Sequence, residues 1–206
     1  MNDLSVDNST MRGFAVIDVE TTGFAPQRAD RIVEVGLVLL DEHATEVSCF
    51  HSMFDPHRPL GQAVTHGIAP EDVAGAPSFS ALAPWLLETI CSRIIVAHNA
   101  QFDLSFLAAE FGRAGLGINQ DIQVIDTLAL AHRYPFGQRT NNLSDCCKAL
   151  SIGFPSAHST LKNARATASL LRHFLAEATS SEALLELAKR VNVSTAQSGA
   201  ITCAVA

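Results

Sequence analysis

The chain has 206 residues, of which 48% are hydrophobic and 17% are charged, and its formal net charge is −7 at pH 7. This length and composition predict one domain with a packed core and at most a short appendage. The negative charge excludes a broad basic surface, so any binding of nucleic acid has to be local and metal-assisted.

The sequence contains no signal that predicts export or membrane insertion. The first twelve residues lack the apolar core of a secretory signal, and no run of about 18 apolar residues predicts a membrane span. The five cysteines are odd in number and show no CxxC spacing, so they support neither a disulfide framework nor a zinc site. These features predict a cytoplasmic protein, and they leave its oligomeric state open.

The chain is organised around the stretch from Phe14 to Gly23, which opens with four apolar residues that lead into Asp18. Its Phe, Val and Ile residues favour a strand that begins after Gly13 and ends near Asp18. Because strand side chains alternate between faces, Asp18 and Glu20 point the same way. Two carboxylates on one face repel each other, and hard divalent cations such as Mg²⁺ prefer oxygen ligands. Taken alone, the pair is explained more readily by a strand end that emerges into solvent.

The remaining elements follow a simple order of hairpin strands and then alternating strands and helices. We predict strands over 31–40 and 46–54, a helix over 78–90, a strand over 93–97, a helix over 101–114, a strand over 123–126, and helices over 127–132, 143–150 and 159–178. This order predicts an α/β fold with a mixed five-stranded sheet, three antiparallel strands plus parallel strands, flanked by helices. The predicted segments are a disordered N-terminus over 1–12, the main domain over 13–178, and a C-terminal helix and frayed tail over 179–206.

Further polar signals occur later in the chain. Asp103 lies in the first turn of a predicted helix, where an acid also complements the helix dipole. His158 precedes the long last helix of the main domain, and Asn163 lies in its early turns. Asp126 is predicted to cap the helix that follows it. Each of these residues alone is explained by an ordinary role in capping or at the surface.

Taken together and in this order, the motifs resemble the DEDD exonuclease superfamily, in the subclass with a catalytic histidine. The resemblance is particularly to the proofreading, or epsilon, type. The matching motifs are FAVIDVETTGF at 14–24, THGI at 65–68, VAHNAQFD at 96–103, IDTL at 125–128 and NLSDCC at 142–147. The first and third of them are highly specific. The resemblance covers roughly residues 13–178 and implies a ribonuclease H-like fold and the 3′→5′ removal of nucleoside monophosphates.

The resemblance also implies a site for two Mg²⁺ ions, in which Mn²⁺ can substitute. Asp18 would bridge both ions, Glu20 would hold the first, and Asp103 would support the second. His158 would take the proton from the attacking water, which suits a group with a pKa near 6.5. The candidate residues of a pocket for the terminal nucleotide are Thr21, Thr22, Phe24, His66, Asn99 and Phe102. Loop and core packing explain the last three equally well.

The chain departs from the family pattern at one position. The family has an aspartate five residues after the histidine, where this chain has Asn163, beside Lys162. An asparagine offers a carbonyl oxygen without a negative charge, so the first ion would lose an anionic ligand. Asn163 remains a candidate metal-binding and catalytic residue, but we expect the change to cost at least about 10–100-fold in metal affinity or activity.

Three functional hypotheses follow from these motifs. The first is a Mg²⁺-dependent 3′→5′ exonuclease that acts on the 3′ ends of single-stranded DNA in proofreading or repair, with a DNA polymerase subunit as a candidate partner. The second, motivated by Asn163, is an impaired or inactive nucleic-acid-binding module associated with a polymerase. The third is an exoribonuclease, because DNA and RNA versions of such a site share their ligands and differ in contacts to the 2′-hydroxyl.

Overall fold

The computed structural model describes residues 13–61, 67–117, 119–133, 142–154, 159–177, 189–194 and 203–205. Its strands are β1 (Phe14–Thr21), β2 (Ile32–Leu40), β3 (Glu46–Met53), β4 (Ile94–Ala97), β5 (Asn119–Asp126), β6 (Lys189–Ser194) and β7 (Cys203–Val205). Its helices are α1 (Pro70–Val73), α2 (Phe79–Cys91), α3 (Ala100–Arg113), α4 (Thr127–Ala131), α5 (Leu143–Ala149) and α6 (Thr160–Glu177), and a 3₁₀ turn covers Pro26–Arg28. Among these helices, none has the length and apolar character needed to cross a membrane.

The strands form one mixed sheet in the order β3-β2-β1-β4-β5-β6-β7. β1, β2 and β3 pair as antiparallel hairpins, whereas β4 and β5 run parallel to β1. The predicted mixed five-stranded sheet flanked by helices is therefore confirmed, and it occupies the first five positions of this order. β5 is longer than predicted, because its far side pairs with β6.

The C-terminal part of the chain differs from the prediction. We expected a helix and a frayed tail over 179–206, but residues 189–194 and 203–205 form β6 and β7 as an antiparallel extension of the sheet. Val191 and Val193 alternate with polar residues, which is the period of a strand. The free edge of β5 offers the unpaired backbone groups that such a strand needs. The other residues of this tail lie outside the described part of the chain, as does the segment predicted to be disordered at the N-terminus.

β1 continues beyond the end predicted for it near Asp18. It pairs with β2 as far as Glu20 opposite Glu34, and after a shift in register Thr21 lies opposite Ile32. The backbone hydrogen bonds of this ladder hold the acidic residues within the strand. Both carboxylates of the first motif therefore belong to the sheet and not to a loop that leaves it.

Two apolar cores lie on opposite faces of the sheet. The core on one face contains Ala15, Ile17 and Val19 of β1 together with residues of α2 and α3. The core on the other face contains Phe14 and Val16 of β1 together with residues of α5 and α6. Because side chains alternate along a strand, Asp18 and Glu20 continue the second of these faces, the one that α6 covers.

Candidate active site

The first turn of α6 lies against β2 because Gly36 has no side chain. A Cβ atom built on Gly36 would lie 2.2 Å from the carbonyl carbon of Thr160 and 2.3 Å from the nitrogen of Leu161. Gly36 is directly opposite Asp18 in the β1–β2 ladder, so this close approach brings α6 over the acidic end of β1. Asn163 then donates a hydrogen bond from Nδ2 to Oδ2 of Asp18 at 3.2 Å.

Asp103 reaches β1 from the first turn of α3. Its carboxylate Oδ1 accepts a hydrogen bond from the backbone N–H of Val19 at 3.1 Å, and the residue is 5% exposed. β4 pairs with β1 only as far as Val16, so the carboxylate accepts a hydrogen bond from a backbone N–H that lies beyond the end of that ladder. Since Val19 lies between Asp18 and Glu20, the structure brings all three acids together. We call Asp18, Glu20 and Asp103 the acidic site.

The three carboxylates of the acidic site have raised pKa values, and at each of them desolvation is the largest cause. The charges of Asp103 and Glu20 raise the pKa of Asp18 further, and the hydrogen bond from Asn163 opposes the shift. Burial and the charge of Glu34 raise the pKa of Glu20 to about 7. Burial keeps the pKa of Asp103 well above its usual range, although backbone hydrogen bonds lower it.

The chemistry of this donor set fits a divalent cation. In the described part of the chain, no ion pair involves a carboxylate of the acidic site. As the side chains stand, no group of three or more His, Cys, Asp or Glu among the described residues is arranged to hold a metal ion. Binding would therefore require the carboxylates to move toward a common ion, which would replace their mutual repulsion with attraction.

Sequence reasoning missed a further acid next to this site, Glu34 of β2. It is 6% exposed, lies opposite Glu20 in the ladder, and its charge contributes to the raised pKa values of Glu20 and Asp18. Its Oε1 lies 2.6 Å from Nε2 of His51 on β3. The sequence did contain a signal for this residue, because Glu34 interrupts the apolar run over 32–35. Acids are almost never fully buried unless they are paired, so an acid in a buried strand points to a partner or a function.

The turn after β1 carries the first candidates for a nucleotide pocket. Thr21 and Thr22 are 3% and 4% exposed. The hydroxyl of Thr21 donates to the backbone oxygen of Gly23 at 2.6 Å. The hydroxyl of Thr22 donates to Oδ1 of Asp30 at 3.2 Å and accepts from the backbone N–H of Arg31 at 3.0 Å. Both hydroxyls thus form hydrogen bonds within the segment between β1 and β2, and these bonds fix the shape of that segment next to the acidic site.

Phe24 projects from the same turn and is 71% exposed. Its ring centroid lies 6.4 Å from that of Phe102, which in turn lies 5.0 Å from that of Phe106. Phe106 is fully buried in the core under α3. The three rings therefore form an aromatic series that leads from the core to an exposed face, where a flat ligand could stack.

Asn99 joins the ends of β4 and β5. Its backbone has a φ of 72°, and its N–H donates to Oδ1 of Asp126 at 3.1 Å. The same carboxylate oxygen accepts from the backbone N–H of Leu128 at 2.9 Å, which confirms the predicted capping role of Asp126. The side chain of His158, the candidate general base, lies outside the described residues, as does that of His66, so their roles stay predictions.

The architecture matches that of solved exonuclease structures. Escherichia coli exonuclease I in complex with a dT13 oligonucleotide has a TM-score of 0.68 and 18% identity, covering 84% of this chain and 42% of that one. A 3′-exonuclease from a structure on recognition of the histone mRNA stem-loop has a TM-score of 0.62 and 14% identity, covering 94% and 90%. These likenesses confirm the ribonuclease H-like fold predicted from the sequence.

The sequence carries the assignment further than the fold does. The profile of the RNase T exonuclease family matches residues 15–171, a range that includes the acidic site and most of α6. The protein therefore belongs to this family of DEDD exonucleases, whose members are generally metal-dependent.

Curated relatives include bacterial replication proteins. The chain is 33% identical over 175 residues to a DNA polymerase III PolC-type protein of Thermotoga petrophila, covering 84% of this chain but 12% of that protein. It is also 33% identical over 156 residues to a DNA polymerase III subunit epsilon of Rickettsia felis, covering 72% of this chain and 68% of that protein. The chain thus corresponds to the exonuclease domains of these relatives and spans only a small part of the PolC-type proteins.

Proposed function

We propose that the protein is a divalent-metal-dependent exonuclease that removes nucleoside 5′-monophosphates from the 3′ ends of single-stranded DNA in proofreading or repair. The observation that carries this proposal is the acidic site, where three carboxylates share a largely desolvated corner and have no described cationic partner. Membership of the exonuclease family supports the reaction type. The names of the relatives, which are DNA polymerase III proteins, support DNA as the substrate and a polymerase subunit as the partner.

We assign Asp18, Glu20, Asp103 and Asn163 to the binding of two Mg²⁺ ions, with Mn²⁺ as a substitute. When bound, such ions neutralise the phosphodiester, make a water molecule acidic and stabilise the leaving 3′-oxygen. Asp18 is the centre of this set, because Asn163 contacts it and the charges of both other acids act on it. Asn163 now presents Nδ2 to Asp18, so its amide has to turn before the carbonyl oxygen can face an ion.

The proton of the attacking water goes to His158 in this proposal. An imidazole with a pKa near 6.5 is largely neutral at pH 7 and can accept a proton. Its position in the sequence, just before the helix that carries Asn163, supports the assignment. Such a general base contributes about 10²–10⁴-fold to the rate.

The terminal nucleotide stacks on the exposed ring of Phe24, and Phe102 supports that ring from below. Stacking of a base on an aromatic side chain contributes about 1–3 kcal/mol and needs an unstacked base, which favours single-stranded ends. Thr21, Thr22, Asn99 and His66 complete the pocket. With a net charge of −7, binding away from the ions should be weak and sensitive to salt.

Asn163 favours a second candidate, an impaired module that binds nucleic acid without efficient hydrolysis. Its amide takes up an oxygen of Asp18 by donating a hydrogen bond to it, where an acid would add charge and bind a cation. Such a module would act in association with a polymerase, as the second functional hypothesis expects.

Degradation of 3′-labelled single-stranded DNA and RNA tests these alternatives. The parent chain and its variants Asn163→Asp and Asp18→Asn should be compared with Mg²⁺, with Mn²⁺ and in EDTA. Metal-dependent release of 5′-mononucleotides from DNA, absent in Asp18→Asn, is the expected result. Release from RNA alone would identify an exoribonuclease, and binding without release in every metal would favour the impaired module.

A further inference from the structure

Glu20 and Glu34 form an unusual pair across β1 and β2. They are directly opposite each other in the ladder, and directly opposite residues in an antiparallel pair share a face with Cβ atoms about 4.5–5.5 Å apart. Like charges in this arrangement are destabilising. Glu34 is 6% exposed, so water screens its charge poorly. The fold therefore keeps a fourth carboxylate at the acidic site at a cost in stability.

His51 holds this carboxylate in place. It lies opposite Gly36 on β3, and Gly36 lies opposite Asp18 on β1, so His51 shares the face of the acidic site. Its Nε2 is 2.6 Å from Oε1 of Glu34, and its ring is 40% exposed. One carboxylate oxygen of Glu34 is thus fixed by His51, and the other is not held by any hydrogen bond among the described residues.

Among the described residues, Glu110 is the other buried glutamate, and it shows the surroundings of a purely structural acid. Glu110 is 1% exposed and receives hydrogen bonds from two arginines, Arg31 and Arg113, and from the backbone of Ile32. Glu34 has no arginine or lysine partner among the described residues and faces another acid instead. This arrangement is suited to increasing the negative potential at the acidic site.

We propose that Glu34 is a positioning residue for the metal site, held by His51, and that its carboxylate strengthens cation binding by Glu20 and Asp18. This inference rests on the proposed metal-dependent function. Glu34 acts through its charge on Glu20, its neighbour directly across the ladder. With Glu34, four carboxylates lie around this corner of the sheet even though position 163 is neutral.

A titration of the protein with Mn²⁺ alone tests the proposal, with the free ion measured by electron paramagnetic resonance. Glu34→Gln keeps the size of the side chain and an oxygen for His51, but it removes the charge. We expect Mn²⁺ affinity to fall by at least about tenfold and the melting temperature in EDTA to rise. Glu46→Gln is the matched control, because Glu46 lies on the same hairpin in an exposed ion pair with Arg165. It should stay within about twofold of the parent chain.

His51 variants give a second readout that does not change the buried charge. His51→Ala should weaken Mn²⁺ binding, and His51→Gln, whose amide can donate to Glu34, should restore part of the loss. If Glu34→Gln does not fold, this pair decides the matter. A purely structural Glu34 would give unchanged Mn²⁺ affinity with a lower melting temperature in Glu34→Gln, and that result would overturn the proposal.

Asp18→Asn separates this inference from the proposed function. Loss of Mn²⁺ binding in Asp18→Asn with unchanged binding in Glu34→Gln would leave the metal site intact and reject only the role of Glu34. Unchanged binding in both variants would reject the metal site itself, and with it the role of Glu34.

Discussion

Two acids on one helix have opposite electrostatic surroundings. Asp103 and Glu110 are seven residues apart on α3, so they lie on the same face about 10 Å from each other. Glu110 forms a cluster with Arg31, at 2.6 and 2.9 Å, and with Arg113, at 3.2 Å. Asp103 is 5% exposed and has acids, not arginines, as its charged neighbours.

Under the proposed function, this difference in charged neighbours separates a structural acid, Glu110, from a metal-binding one, Asp103. The cluster of Glu110, Arg31 and Arg113 joins α3 to the segment between β1 and β2, and the chain itself balances the charge of Glu110. In the proposed function, a cation from solution completes the acidic site, because no described ion pair involves its carboxylates. Burial of both acids is similar, so burial alone does not identify a functional site. The identity of the charged neighbours does.

Removal of an acid from the acidic site should have the largest effect on activity. We expect Asp18→Ala to abolish hydrolysis and Mn²⁺ binding while the fold stays intact, since it relieves repulsion in the metal-free state. Hydrolysis of labelled DNA and circular dichroism would measure the two effects. Unchanged metal binding in this variant would refute the assignment of Asp18.

Removal of the acid from the arginine cluster should have its effect on stability. Glu110→Ala leaves Arg31 and Arg113, whose side chains are 22% and 31% exposed, without this carboxylate, and we expect a loss of about 1–3 kcal/mol, the cost of leaving a hydrogen-bonding group without its partner. Urea unfolding would measure this loss, and Mn²⁺ affinity of the folded fraction should be unchanged. A loss of less than about 1 kcal/mol would mean that the cluster behaves as an exposed pair.

Adding an acid should sharpen the contrast between the two regions. Asn163→Asp would place a further carboxylate against Asp18, so Mg²⁺-dependent hydrolysis should increase by at least about tenfold. Thermal stability should also become more metal-dependent, because only the metal-bound folded state relieves the added repulsion. Asn163→Ala, which adds no ligand, is the control and should show no gain. If Asn163→Asp changes neither property, the side chain at position 163 does not contact the bound metal ions.

The smallest expected effect is a pH dependence of metal-free stability. The pKa of Glu20 rises from 4.5 to about 7 on folding, so the folded state holds a proton that the unfolded state releases. The stabilisation that this bound proton gives the folded state is fully present below pH 4.5 and is lost as the pH rises through 7. In EDTA, the melting temperature of the parent chain should therefore fall relative to Glu20→Gln between these pH values. Parallel curves of melting temperature against pH for the two proteins would show that folding does not raise the pKa of Glu20.

Much of the fold and part of the site could be predicted from the sequence because their signals are local. The strand that leads into Asp18 and the helix that begins before Asp103 can each be predicted from a short stretch of consecutive residues. The cap formed by Asp126 is equally local, since it bonds residues two and three positions later. Periodicity and capping chemistry therefore sufficed for these elements.

The remaining features depend on register and on partners far away in the chain. The pairing of Glu34 with Glu20 and His51 follows from the alignment of three strands, which no single stretch of sequence specifies. The contact of Asn163 with Asp18 depends on Gly36, whose missing side chain admits α6. β6 and β7 are short strands that extend the sheet beyond β5, and the alternation around Val191 and Val193 is too short to predict them without that pairing.

The most direct test of the metal site is a crystal structure of the protein grown with Mn²⁺ and measured at the manganese absorption edge. We predict anomalous density in direct contact with carboxylate oxygens of Asp18, Glu20 and Asp103, and none at Glu110. Absence of a manganese ion from the acidic site at saturating Mn²⁺ would contradict the account.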